Sequence, residues 1–478
     1  MLACLPLGAA TVVYFLRKLS AGALIAALAA LLLAWLAVRI PTGVVLNVLG
    51  RTVELDRLSQ VSLFLIFVAT AALFLILIFI TAAHRQSGQV GAVTAIRSGE
   101  GRVFYPAALL ILAIFVAASL SRHLGITAIL MGGAAILTAF VIQTQRLEST
   151  RAALRFLILA SLATPLFLLA ARQIDDYQLA GGVILPHQLE QIAFLVGVGA
   201  AMWLAVVPFH SGLTRTAAES SPPTAVFALV TFPTVALAIL MNLLIDLPWL
   251  VDSLYLVNAI IIAGVVTAFV GGMLAAIQRG FSELLGYAAL FNLGCIITAL
   301  GLGGPAAVIT VLVSLVVRTL ALVLLAASMS ALTLRFPNAG FVEIRGMGFR
   351  MPVATVGLIV GGLALAGIPF TAGFAPYWQV LRLLAQVDMR GVVLLVAGSS
   401  AVSVGYLRGL RALLMNPSGG TRRPWVLALN RTGYAGEPPA MLVIIILLSL
   451  TVVALGLFPN WLIEPLANFA GLISFPIR

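Results

Sequence analysis

Gly367-Ile-Pro-Phe-Thr-Ala-Gly373 interrupts an apolar run that otherwise extends over residues 352–383. A single crossing of the hydrocarbon core takes about 20 apolar residues. A proline between glycines in the middle of such a run removes helical hydrogen bonds and frees backbone carbonyls. The stretch therefore reads as a broken transmembrane helix, with its break at Gly367, Pro369 and Gly373. A matching break stands 161 residues earlier, where Val207-Pro208-Phe209 parallels Ile368-Pro369-Phe370. Arg155-Phe156-Leu157 and Arg318-Thr319-Leu320 open comparable runs 163 residues apart. The nearly equal offsets predict two copies of a five-helix unit. Five crossings are odd in number, so adjacent copies have opposite orientation, with discontinuous helices near the bilayer midplane.

The remaining chain has the composition such a bundle needs. Of 478 residues, 62% are hydrophobic and 9% charged; a soluble domain has roughly 45–50% and 25%. The chain cannot clothe a water-facing surface, and no alternating strand pattern marks a barrel. Apolar runs fall at 4–16, 21–38, 61–83, 104–121, 124–143, 154–171, 190–210, 223–245, 253–277, 284–303, 305–333, 352–383, 391–412 and 440–458. They predict an all-α integral membrane protein of about 14 transmembrane helices, the first of them short. Helices four to eight and nine to thirteen form the inverted repeats, with helices seven and twelve broken. The domain reading is 1–103 for the first three helices, 104–246 and 253–415 for the two repeats, and 440–478 for the C-terminal helix. Polar stretches at 84–103 and 413–438 read as loops.

The net charge of +12 is a matter of topology rather than of nucleic-acid binding. About two-thirds of the 27 Lys and Arg lie in connections that follow odd-numbered helices. By the positive-inside rule these face the cytoplasm, which predicts a multi-pass protein of the cell inner (plasma) membrane with both termini on the outer side. The first apolar run has neither a basic leader nor a small-residue cleavage site and reads as a retained helix. Cys4 and Cys295 lie in separate apolar runs, without metal-like spacing. With no nucleotide loop, metal cluster, or nucleophile beside a base, no cofactor or metal is expected and an independent enzyme is disfavoured.

Several blocks, in order along residues 100–460, resemble one family. Trp203-Leu-Ala-Val-Val-Pro-Phe-His210 is similar to a seventh-helix motif ending Pro-Phe-His, and Ser221-Pro-Pro-Thr-Ala-Val226 with Pro233-Thr-Val-Ala236 to the start of the eighth helix. Gln278, Leu284-Leu-Gly-Tyr287 and Asn292-Leu-Gly294 resemble the loop and tenth helix. Gly346 with Pro352, then Gly367-Ile-Pro369 and Ala372-Gly-Phe374, resemble the twelfth. Ser400 with Tyr406-Leu-Arg408 and Leu455-Gly-Leu-Phe-Pro459 match the thirteenth and last. The resemblance is to the antiporter-like membrane subunits of respiratory complex I and its relatives: NADH-quinone oxidoreductase subunits M and N, multisubunit sodium/proton antiporters and membrane-bound hydrogenases.

That family moves protons through a buried glutamate on the fifth helix, lysines on the seventh and eighth, and a lysine or glutamate on the twelfth. A lysine in low dielectric has a depressed pKa and can load and release a proton. The matching positions here are Gly132 or Gly133, Trp203, Thr234 and Tyr377, and none titrates near neutral pH. Ser282 and Glu283 replace a loop Lys-Arg pair, and Lys18 is the single lysine of the chain. The chain resembles a degenerate member.

His210, Glu219, Arg155 and Arg318, with Glu190 and Arg382, remain ionisable in or near the hydrocarbon. His210 titrates in the right range to relay protons, or else caps carbonyls freed at Pro208. Arg318 reads as a fixed countercharge, paired structurally or snorkelling to the cytoplasmic face with Arg155, because a guanidinium stays protonated. Tyr287 and Tyr377 hold water chains or serve in packing.

The resemblance and the lost charges together imply a membrane-arm subunit of a complex I-like assembly, scaffolding or coupling, with its own proton path weakened or absent. Other membrane subunits and lipids are the expected partners. The alternatives are proton or ion translocation by a rearranged path around His210, and membership of a hydrogenase-like or inorganic-carbon uptake complex.

Overall fold

Hydrocarbon offers the backbone no hydrogen-bond partners, so each long apolar run must satisfy its own N–H and C=O groups as a helix. A computed structural model describes residues 2, 4–17, 20–43, 45–48, 51–86, 92–144, 149–179, 186–251, 254–334, 340–415, 437 and 439–470. Helices α1 (Cys4–Phe15) and α2 (Ser20–Arg39) lead into a short hairpin, β1 (Val45–Val48) and β2 (Arg51–Glu54). There follow α3 (Arg57–Gln86), α4 (Ala92–Leu120), α5 (Leu124–Gln143), α6 (Thr150–Leu179), α7 (Pro186–Trp203), α8 (Ser211–Glu219), α9 (Pro222–Asp246) and the one-turn α10 (Pro248–Val251). The second half holds α11 (Leu254–Ile277), α12 (Phe281–Leu302), α13 (Gly304–Thr333), α14 (Pro352–Ala366), α15 (Phe374–Ala385), α16 (Met389–Leu414), α17 (Pro439–Leu457) and α18 (Asn460–Ala470). Among the described residues, eleven helices are long and apolar enough to cross a membrane. The chain is a multi-pass membrane protein.

Two elements depart from the expected pattern. The all-α expectation omits the antiparallel hairpin, in which Val45 pairs with Glu54 and Val48 with Arg51. It lies between apolar runs, where water can satisfy strand edges that lipid cannot, and β-branched Val45, Val48, Thr52 and Val53 favour the pleat. Arg122, between α4 and α5, anchors it by reaching Glu54 at 3.1 Å and Asp246 at the end of α9 at 2.8 Å. The stretch 84–103, read as a loop, is helical from Ala92, so α4 begins well before its apolar part. Most of 413–438 lies outside the described residues.

Among these eleven helices, burial is greatest in α9, α12 and α13 and least in α17. Helix α13 packs against α3, α9, α12, α14, α15 and α17, which makes it the central post of the molecule. Glycines set the closest approaches: a Cβ at Gly272 on α11 would strike the Gly398 backbone of α16, and one at Gly362 on α14 would enter the Tyr406 ring. Such small-residue contacts allow packing where lipid supplies no hydrophobic drive.

Outside the membrane-spanning segments, Glu437 caps α14 by accepting from Ala354 N at 2.8 Å. Burial raises its carboxyl above the usual carboxylate value, against the lowering effect of the Ala354 and Val353 N–H groups. Because the folded value exceeds the unfolded one, about 4.3, stability falls as pH rises from there through the folded value. Glu437→Gln, which keeps an acceptor, is expected to flatten that dependence. Glu437→Ala is expected to cost about 1 kcal/mol, the usual scale of a lost cap. Thermal melts between pH 4 and 8 test both.

Candidate functional site

At the first break, α7 ends at Trp203 and the chain resumes helix only at Ser211. Ala205 takes a left-handed φ of 51°, the Val207–Pro208 peptide is cis, and Val206 N reaches back to Ala201 O at 2.8 Å. The Val207 N–H, which has no helical acceptor, donates to Thr267 Oγ1 on α11 at 3.1 Å. His210 is half-buried just before α8. Its Nδ1 has no hydrogen-bond partner, its side chain does not cap the helix, and its ring lies 6.5 Å from that of Tyr287.

At the second break, Gly367 closes α14 at φ 78°, a left-handed conformation that glycine adopts without steric cost. Gly373 sits so close to Ala364 that a Cβ would fall on its carbonyl oxygen. The carbonyls released there are taken up by protein groups. Asn292 Nδ2 on α12 donates to Leu365 O at 3.4 Å, and Ser399 Oγ on α16 donates to Ala366 O at 2.7 Å. Ala372 N donates to Val452 O on α17 at 3.0 Å.

Arg318 lies midway along α13 and is 2% exposed, the one charged side chain among the described buried residues. Its Nη1 donates to Ala289 O at 2.5 Å and to Asn292 Oδ1 at 3.4 Å, and its Nη2 donates to Leu229 O on α9 at 3.3 Å. Nε has no partner, and among the described residues the guanidinium makes no ion pair. Snorkelling is therefore corrected: the side chain points into the bundle and ties α13 to α9 and α12. Asn292 extends that tie to the second break. Beside it, Asn292, Ser314, Cys295, Gly373 and Tyr377 line a cavity of about 10 Å³, room for about one water.

The other expected residues are dispersed. Arg155 is exposed on α6, and Arg382 and Glu190 are exposed on α15 and α7. Glu219 accepts from Ala152 N at 3.0 Å in the first turn of α6 and lies 3.8 Å from Arg215, a structural role. Tyr377 donates to Leu395 O at 3.0 Å. Trp203 is buried and stacks on Phe167 at 4.1 Å, while its indole N–H donates to Ala160 O at 3.4 Å. Thr234 is buried in α9, and a Cβ at Gly132 would meet Thr164 Oγ1 at 3.0 Å, whereas Gly133 faces open space. Thr267 and Ser399, which serve the two breaks, were not anticipated. A lone hydroxyl in an apolar run is the only signal each carries.

A family model described as NADH:quinone oxidoreductase/Mrp antiporter, TM, matches residues 120–403. An NADH-quinone oxidoreductase subunit N from Chromohalobacter salexigens is 28% identical over 56% of this chain and 55% of its own length. Formate hydrogenlyase subunit 3 of Escherichia coli is 27% identical over 57% of this chain and 47% of its own. The chain thus aligns with about half the length of these two relatives. In a solved structure, a chain of the Mrp complex from Dietzia sp. DQ12-45-1b superposes with a TM-score of 0.76 at 18% identity, covering 99% of this chain and 96% of that one; this likeness concerns the fold. With more than half of its residues inside the family model, the chain belongs to the NADH:quinone oxidoreductase/Mrp antiporter transmembrane family.

Proposed function

We propose that this chain is an antiporter-like subunit in the membrane arm of a complex I-like assembly, where it scaffolds and couples sister subunits while its own proton path is weakened or absent. Relatives named as subunits of NADH-quinone oxidoreductase and formate hydrogenlyase support the assembly. The carrying observation is the state of the interior. Positions 132, 133, 203, 234 and 377 hold no group that titrates near neutral pH, and the buried charge that remains is a guanidinium bound to backbone carbonyls. A cation that stays protonated polarises its surroundings but does not carry protons. In this reading α4–α9 and α11–α16 are the two inverted repeats, the crossings number about 14 once both broken helices and α1 are counted, and both termini lie on the outer side of the plasma membrane. The sparsely covered α17 suits contact with sister subunits or lipid.

A second reading, proton passage by a rearranged route, is favoured by one observation: His210 Nδ1 is buried, unpartnered and near Tyr287. The two readings part on His210→Ala in the reconstituted assembly. Protons moved per electron are expected to stay within measurement error of the parent, with assembly intact. Loss of pumping alongside normal assembly and electron transfer would overturn the passive reading. Co-purifying subunits, identified by mass spectrometry, distinguish quinone oxidoreductase, hydrogenase and carbon-uptake partners.

A further inference from the structure

A groove of about 700 Å³ runs along α7 and α11 beside the first break, separate from Arg318 and its neighbours. Its walls are apolar, from Ala193 and Gly197 on α7 and Leu204 just past its end to Leu256, Ala259 and Ile260 on α11, and Phe194 beside them is 67% exposed. Gly197 lets Leu256 of α11 approach α7 closely, since a Cβ there would meet Leu256 Cδ1 at 3.3 Å. The one charged lining residue is Glu190, which is exposed and, among the described residues, makes no ion pair.

Length discriminates between occupants. From Glu190 to the end of α7 at Trp203 the groove follows about 20 Å of helix axis, at 1.5 Å per residue. A partner helix needs a track through the full ~30 Å of hydrocarbon, whereas one leaflet is about 15 Å deep. This groove begins at a carboxylate near the start of α7 and stops at the helix break, a depth suited to one acyl chain rather than to a spanning helix. A carboxylate at its mouth repels a purely anionic headgroup and attracts a cationic one. We propose that the groove holds one acyl chain of an amine-bearing phospholipid whose ammonium pairs with Glu190. The site does not rest on the proton-path reading and can fail independently of it.

Native mass spectrometry of the delipidated full-length protein, titrated with phosphatidylethanolamine or phosphatidylglycerol, tests the assignment. One tightly held phosphatidylethanolamine is expected. Glu190→Gln is expected to reduce the preference over phosphatidylglycerol by about two- to fivefold, the scale of one exposed ion pair. Ala259→Trp, which fills the groove, is expected to abolish the tight site, and Val393→Trp on the exposed face of α16 to leave it intact. Unchanged lipid binding in Ala259→Trp overturns the proposal. A photo-crosslinking residue at position 194, in an otherwise unaltered groove, covers the case of a misfolded variant. Capture of phosphatidylethanolamine in the assembly supports the site, and capture of a sister subunit overturns it.

Discussion

Gly373→Ala is expected to remove most of the protein from the folded, monodisperse fraction. The added Cβ falls on the Ala364 carbonyl oxygen, a backbone atom of the helix that ends at the break, so no side chain can swing aside. Overpacking against side chains typically costs 1–3 kcal/mol, and a clash with backbone should cost about 3 kcal/mol or more, a large part of a total stability of about 5–15 kcal/mol. The effect should spread beyond one contact. Separating Gly373 from Ala364 shifts the segment whose Ala372 N is bonded to Val452 O on α17 and disturbs the carbonyls held by Asn292 and Ser399. Gly133→Ala is the matched control, because its Cβ meets nothing within 4 Å and alanine in a helix interior gains about 0.5–1 kcal/mol over glycine. Size-exclusion profiles and melting temperatures of the two variants in one detergent decide the matter. A Gly373→Ala protein that melts with the parent would show that the break is not held by this contact.

Both breaks were legible in the sequence because proline and glycine act on their own few residues. Pro208 lacks the N–H that a helix needs, and Gly367 takes up a conformation that other residues resist. The uninterrupted apolar runs were likewise readable, since each maps onto one helix through a composition that lipid imposes, while 190–210 and 352–383 carry the two breaks. What stayed hidden depends on distant chain. From sequence Arg318 opens a run like that at Arg155 and has the option of snorkelling, yet it donates to Asn292 Oδ1 and to the backbone carbonyls of Leu229 and Ala289, 89 and 29 residues away. Carbonyls have no sequence signature, so a buried arginine held by them looks like one held by nothing. Glu219 misled for the opposite reason: its residue type suggests a titrating site, while its position at the first turn of α6 makes it a cap. The hairpin and the polar start of α4 lie outside apolar runs, where hydropathy is uninformative about structure.

Arg318 provides the strongest separation of charge from packing, through three substitutions. Arg318→Ala removes a large side chain from a fully packed site and is expected to destabilise by about 3 kcal/mol, within the 2–5 kcal/mol range of large-to-small core changes. Arg318→Met keeps most of the volume and removes the buried charge. The Leu229 and Ala289 carbonyls belong to α-helices and keep their helical partners when the guanidinium is gone. Exchanging a buried ionic group for an apolar one of similar size is often neutral or stabilising, so Arg318→Met is expected to melt within about 1 kcal/mol of the parent. Arg318→Lys retains charge but not the planar fork that reaches two helices at once, and is expected to fall between the other two. If stability follows this order, the cation is not kept for stability, and its purpose must be sought in the assembly. The decisive measurement is then proton pumping per electron in the reconstituted complex carrying Arg318→Met. An unchanged ratio is expected for a subunit that scaffolds and couples its neighbours. A collapsed ratio, with assembly and electron transfer intact, would show that the buried guanidinium and its bonds to Leu229, Ala289 and Asn292 take part in proton movement, and would overturn a role confined to scaffolding and coupling.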